Sequence, residues 1–312
     1  MARRQVMDRR NEDVHHYLRA SAQLLGEPGD RSCTQPDFVP MQVENRPAPF
    51  KQYQGLPSRS LPTDLRPGGL DALAAITGQV AGPTELDETQ LARLLFHAVG
   101  VTRMAMSAEP WRLYFRAAPS AGNLHPIEAY VVCGRLGEIP AGVHHVDPLS
   151  FSLTELRGGD HRGRLAAACA LDRVSSAPAS LVLTGIPWLS AWKYRERGLR
   201  HVYWDAGSIL ANLLAEAAGI GVAATVMFGF VDRRVADLLG LDGQAEFPPA
   251  VVPLGAMATV VVPQSRDLAA LPDHPGRRTA VAVAAGVPGV DQVTPRRRSD
   301  HRAGGRELAG GG

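Results

Sequence analysis

Arg116-Ala-Ala-Pro119-Ser120-Ala-Gly122-Asn123-Leu-His125-Pro126-Ile-Glu128, running straight into Ala129-Tyr-Val-Val-Cys133, is the stretch that decides how this chain is read. The apolar run has the length and β-branched content of a buried strand. Ahead of it stand small residues, a hydroxyl and a carboxamide on a segment broken by prolines and a glycine. Such a segment can be a plain turn before a strand. It also lets backbone and short side chains come close to a flat, heteroatom-rich ligand, and both readings stand at this point.

The neighbouring segments mix helix and strand patterns. Upstream, Leu91, Leu94, Leu95, Ala98 and Val99 recur at helical spacing and predict a helix over about 88–99. Asp87 is its expected N-cap with Gln90 three residues on, Leu86 and Leu91 can staple across the cap, and Gly100 ends it. Downstream, strands are expected at about 128–133, 142–146 and 150–155, then a helix near 161–171 and a strand at 180–186. The longest helix is expected from about Val202 through Ile209, Leu210, Leu213, Leu214 and Ala217 to Gly219, with a wide apolar face. A strand at 222–228, a short helix capped by Asp232, and a last strand at 250–254 complete the pattern. Without a regular βαβ rhythm this argues an α+β fold, and no Gly-x-Gly-x-x-Gly follows a strand to suggest a dinucleotide site.

Composition sets the outer limits. A chain of 312 residues with 45% hydrophobic content and a net charge of +2 can build a sizeable core and carries no strong electrostatic footprint for nucleic acid. Its basic excess collects near the end, at Arg296-Arg-Arg298, Arg302 and Arg306, where a solvated tail is expected. Cys33, Cys133 and Cys169 are too scattered for a metal site or a disulfide framework, which fits a reducing compartment. The first residues lead into Asp8-Arg-Arg-Asn-Glu12 rather than an apolar stretch, and the late run from Ala280 to Val290 is too short to cross a bilayer. The expectation is a cytoplasmic protein with no membrane span. Three parts are read along it: an arm over 1–84 with a helix at about 14–25, a domain over 85–262, and a disordered Pro/Gly/Arg-rich tail over 263–312.

Only Lys51 and Lys193 among the 33 basic residues are lysines. An ammonium has a pKa that burial can lower, whereas a guanidinium stays charged, so both positions invite attention. Lys193 sits in Trp192-Lys-Tyr194-Arg-Glu-Arg-Gly198-Leu-Arg200, read as a charged run at a helix start, which also has an ordinary reading as solvated surface.

The 116–128 loop, the 192–200 run, and Asp205-Ala-Gly207-Ser-Ile-Leu-Ala-Asn212 through Ala218-Gly-Ile-Gly221 together resemble the nitroreductase-like flavoprotein superfamily, and within it the SagB/ThcOx type of FMN-dependent dehydrogenase. The likeness covers about residues 85–257 and extends weakly to Pro49-Phe-Lys51-Gln-Tyr53. It implies a mixed sheet flanked by helices, a homodimer formed through long central helices, and FMN at the subunit interface. It implies further that Arg116, Pro119, Ser120, Gly122 and Asn123 contact the flavin ring, that Gly219 and Gly221 let backbone amides approach it, and that Asn212 and Arg200 assist. Lys193 would be the base or proton relay and Tyr194 the acid or orienter. The implied reaction is oxidation of a peptide-derived or other natural product, such as an azoline ring, within a biosynthetic complex. Two alternatives stay open: an NAD(P)H-dependent reductase of nitro compounds or quinones, and a scaffold subunit that has lost its flavin.

Two departures stand out. Family members carry an Arg-x-Ser/Thr-x-Arg phosphate cluster where this chain has Ile76-Thr-Gly-Gln-Val-Ala-Gly-Pro-Thr-Glu85, leaving Arg197, Arg200 and Arg266 as substitutes. Ser208 and Ala211 replace a usual His and Gln. His144-His145 is not read as a metal site, because adjacent strand residues face opposite ways. Glu216 and Asp237 are read as solvated, and Ser120 has no partners in chain order for acyl transfer.

Overall fold

The computed structural model describes residues 43–65, 69–106 and 112–255. The expected helix at 14–25, the tail, Cys33 and Arg266 lie outside them. In chain order the elements are β1 (Ser58–Ser60), α1 (Ala72–Ile76), α2 (Glu88–Val99), β2 (Val101–Met106), β3 (Arg112–Arg116), β4 (Ile127–Cys133), β5 (Gly142–Asp147), β6 (Ser152–Gly158), α3 (Arg162–Cys169), β7 (Ala179–Gly185), α4 (Pro187–Tyr194), α5 (Gly198–Ile220), α6 (Asp232–Leu239) and β8 (Phe247–Leu254).

Six strands form one sheet in the order β1-β6-β5-β4-β7-β8. Every described pair in it is antiparallel, which narrows the expected mixed sheet. Strands β4 and β7 at its centre are buried at every position. Helices α3 and α6 cover the face carrying Tyr130, Val132, Val182 and Val251. Helix α5 approaches closely from elsewhere: Val202 occupies the space a side chain at Gly185 would need.

The helices start and stop for local reasons. Asp87 accepts from the Gln90 amide at 2.7 Å while Gln90 accepts from the Asp87 amide at 2.9 Å, so the expected capping box is formed at α2. Leu91, Leu94 and Leu95 are then fully buried, each worth about 1.5–3 kcal/mol relative to exposure. Pro187 opens α4, where its missing N–H costs nothing. Gly221 closes the 23-residue α5 in the left-handed region at φ 74°.

Several expectations shift. Asp232 is the first helical residue of α6, and Val231 is its cap. The stretch 222–228 makes only the bridges Ala224 to Leu254 and Met227 to Val251; between them Thr225 donates to the carbonyl of Pro253, which has no N–H to return. Strand β8 begins three residues early despite Pro248-Pro249, which an edge strand tolerates, and the register slips opposite them. The β2–β3 hairpin was not expected. Glu216 is not solvated: it meets Arg93 at 2.5 Å, joining α5 to α2. His144 reaches the Pro140 carbonyl and His145 reaches Glu128, on opposite sides as expected. Cys133 and Cys169 are free and buried, and burial pushes both thiols up to about 11.

Residues 43–65 are built into the sheet. Strand β1 pairs with β6, and Lys51 enters a buried polar cluster. Its ammonium donates to Glu246 at 2.5 Å and to Tyr130 at 2.7 Å, and Glu246 also accepts from Tyr130 at 2.8 Å and from Thr184 at 2.6 Å. Burial acts to lower the Lys51 pKa, but Glu246 and Tyr53 outweigh it and hold the ammonium above its ordinary value. Lys51 is thus the buried counter-charge of Glu246. Removing one member of a buried pair leaves the other uncompensated, so Lys51→Ala is expected to cost about 3–5 kcal/mol in urea unfolding, and Lys51→Met with Glu246→Leu less than that. A single-variant loss under 1 kcal/mol would contradict this account.

Candidate functional site

The segment between β3 and β4 is held in conformations that L-residues avoid. Gly122 has φ 62°, Asn123 57° and His125 48°. Asn and His tolerate this region better than most residues, yet each such position costs on the order of 1–3 kcal/mol unless its surroundings enforce it. Here they do. Ser120 Oγ donates to Asp205 Oδ2 at 2.5 Å and accepts from the His125 amide at 2.8 Å, while the Ala121 amide donates to Asp205 Oδ1 at 3.3 Å. His125 Nε2 lies 2.9 Å from Asn123 Oδ1 and 3.3 Å from the Tyr114 carbonyl.

This loop faces the end of α4. A Cβ added to Gly122 would stand 2.7 Å from Tyr194 Oη and 3.1 Å from Lys193 Nζ. The structure therefore brings together Pro119, Ser120, Gly122, Asn123, Lys193 and Tyr194. The lysine and tyrosine close α4 rather than open a helix, and the lysine is exposed. Its ammonium sits 5.4 Å from the Tyr194 ring centre and makes no ion pair among the described residues. The Tyr194 ring packs on His201 at 4.2 Å between centres, and His201 meets Trp204 edge to face at 5.1 Å. A small hollow of about 10 Å³, room for little more than a water-sized group, lies behind the loop between Val99, Arg116, Ser120, Asp205 and Ile209.

The electrostatics follow from burial. Asp205 is 5% exposed, and desolvation raises its pKa although the bonds from Ser120 and Ala121 pull it back. Desolvation raises the Tyr194 pKa and the Asp205 charge adds to it, so the phenol keeps its proton. Burial and the Arg116 charge bring His125 down to about 3, making it a neutral hydrogen-bonding group. Burial also lowers His201, whose two ring nitrogens have no partner among the described residues.

Other expected site residues take different places. Arg116 is buried, spans the Ile127 carbonyl at 3.4 Å and the Pro49 carbonyl at 3.3 Å, and stacks on Phe50, which leaves only Nε unpartnered. Asn212 donates to the His97 carbonyl at 3.1 Å and so ties α5 to α2, away from the loop. Gly219 and Gly221, expected to let backbone amides approach the flavin, lie against the chain's own 69–84 backbone. Leu70 donates to Gly219 and Thr84 to Gly221, and side chains at Gly69 or Gly221 would strike that backbone. Arg200 is half-buried in the first turn of α5. Asp205, His125 and His201 were missed as site residues; the only signal for Asp205 was a lone acid in an otherwise apolar helix face.

The surface around Gly122 suits the ring of the flavin that the resemblance implies. It is bare of side chain at its centre and rimmed by a carboxamide, an ammonium and a phenol. The phosphate end is different. Residues 76–85 offer no guanidinium, and Ala81 and Thr84 spend their amides on Ala218 and Gly221.

Comparison with known proteins agrees with this fold. The Nitroreductase family model matches residues 82–256. A nitroreductase-type protein of Methanocaldococcus jannaschii is 25% identical over 167 residues, 53% of this chain and 79% of that one. The trifolitoxin-processing protein TfxB of Rhizobium leguminosarum bv. trifolii is 31% identical over 51% of this chain and 44% of its own. The microcin B17-processing protein McbC of Escherichia coli is 30% identical over 43% of this chain and 51% of its own. The chain thus spans about half the length of both processing proteins. Among solved structures, a nitroreductase-type protein of Anabaena variabilis superposes with a TM-score of 0.60 at 27% identity, over 78% of this chain and 46% of that one. With more than half of its length matched by the family model, this chain belongs to the nitroreductase family.

Proposed function

We propose that the chain is an FMN-dependent oxidoreductase of the SagB type that dehydrogenates a peptide-derived substrate such as an azoline. The observation that carries this is the convergence of Lys193 and Tyr194 on the bare backbone of Gly122. FMN, when bound, supplies the two-electron acceptor. The chain's own residues do the rest. Pro119, Gly122 and Asn123 present a flat contact surface, and Arg116 and Asp205 fix the loop behind it. In its neutral amine form Lys193 Nζ takes the proton lost from a ring carbon of the substrate, and the protonated Tyr194 Oη holds the ring heteroatom through a hydrogen bond. The trifolitoxin-processing and microcin B17-processing relatives support a role in processing a natural-product precursor.

A homodimer is part of this reading. Helix α5 exposes Tyr203 at 49%, Trp204 at 49% and Leu214 at 38%, a stripe that a second copy would cover. The absence of arginine in 76–85 assigns the phosphate to Arg197, Arg200 or that second copy. A reductase of nitro compounds drawing on NAD(P)H is the second reading, favoured by the broad match to the M. jannaschii protein. Electron flow separates them: a dehydrogenase turns over a synthetic thiazoline peptide with oxygen or a dye as acceptor and no nicotinamide.

The purified protein is expected to be yellow and to keep flavin through gel filtration; a colourless protein that refuses added FMN removes the oxidoreductase reading. Lys193→Ala should slow thiazoline oxidation by about 10²–10⁴-fold with flavin retained, and unchanged turnover eliminates the relay. Gly122→Ala adds a Cβ against Tyr194 Oη at a backbone angle costing about 1–2 kcal/mol. It should abolish turnover while melting within a few degrees of wild type. Asn123→Ala should weaken flavin binding in a fluorescence titration, and full affinity in that variant would exclude its carboxamide from the ring contact.

A further inference from the structure

We propose that Asp205 is a positioning residue of this site: a single carboxylate on α5 grips the 119–125 loop through Ser120 and Ala121 and acts on the neighbouring Tyr194. This rests on the oxidoreductase reading given above. Asp205 lies one helical turn after His201 and one before Ile209, on the buried side of α5. Both of its oxygens are engaged, Oδ2 by the Ser120 hydroxyl at 2.5 Å and Oδ1 by the Ala121 amide at 3.3 Å. Ser120 Oγ passes the grip on to the His125 amide at 2.8 Å. The two ends of the loop are thereby drawn together across Gly122 and Asn123, and the left-handed residues between them are pressed toward Lys193 and Tyr194.

The charged and titratable groups around Tyr194 are few. Lys193 stands on its own helix, His201 and Asp205 come from α5, and Arg197 from the intervening turn acts on His201. Asp205 supplies the negative charge near the phenol. Burial disfavours the tyrosinate most, and the carboxylate disfavours it further. One side chain therefore shapes the contact loop and adds to the effect that burial has on the adjoining phenol. Asp205→Asn changes both functions at nearly constant volume, since one acceptor becomes a donor and the charge is lost.

The test uses the full chain without flavin or substrate. Tyrosine labelled with ¹³C at Cζ gives resonances for the 6 tyrosines, and Tyr194→Phe identifies the one of interest. Its titration midpoint is expected above 10.0 in the wild type and lower in Asp205→Asn. Amide exchange across 120–125 is expected to accelerate at least about tenfold in that variant, roughly 1.4 kcal/mol of lost protection. Ser120→Ala should speed the same exchange and leave the Tyr194 midpoint in place. An unchanged midpoint or unchanged exchange in Asp205→Asn overturns the proposal. Should that variant fail to fold, Ser120→Ala decides alone, and wild-type exchange there overturns it. Neither readout needs turnover, so a colourless protein would defeat the oxidoreductase reading without altering this result.

Discussion

Strands β4 and β7 meet water on neither face, and that constraint organises the rest of the molecule. Most polar side chains on them find a partner inside, Ser180 Oγ being the exception among the described residues, because an unpaired buried donor or acceptor costs about 1–3 kcal/mol. Glu128 finds His145 at 2.8 Å; Tyr130 and Thr184 find Glu246. Glu246 is aimed by a turn in which Asp242 Oδ1 accepts from the Gln244, Ala245 and Glu246 amides. The carboxylate then needs a cation, and Lys51 brings it. The early segment is therefore the source of the counter-charge for the sheet's centre and not a covering laid on a finished domain.

The same constraint sets the site at the rim. The chain leaves β3, which is partly exposed, and must enter β4 already buried. Over the few residues between, the backbone turns through the left-handed region, and the stored strain is offset by one carboxylate and one neutral imidazole. Backbone bent in this way presents its glycine outward, where Lys193 and Tyr194 meet it. Rigid scaffold and exposed backbone are thus two results of the same entry into the sheet.

Much of the fold was legible because local chemistry agreed with global packing. Asp87 and Gln90 announced α2, the leucine spacing announced α5, and the unbroken apolar run announced β4. What stayed hidden depended on distant partners. Arg112–Arg116 and Val101–Met106 show no alternation of apolar and polar residues, since the hairpin they form has little burial to pattern it. Pro248-Pro249 masked the start of β8, whose edge position excuses the missing donors. At 222–228 the sequence is an apolar run broken only by Thr225, but β8 offers it only two bridges. In the site, the loop and Lys193-Tyr194 were readable from residue type and resemblance. Asp205 was not, because a carboxylate's importance lies in the Ser120 hydroxyl 85 residues away. The small-residue turn at Gly219 and Gly221 was readable, and its contact with the 69–84 backbone was not.

Gly207 has nothing within 4 Å of where a side chain would begin, and it lies on α5 between the exposed Trp204 and Ala211. Helices normally cross with their axes about 8–10 Å apart, a spacing set by the side chains between them. At this bare notch the spacing is set by main chain alone, so a helix crossing there can settle at the short end of that range. Any larger residue at 207 would act as a wedge, prising the crossing apart and tilting whatever each helix carries at its ends.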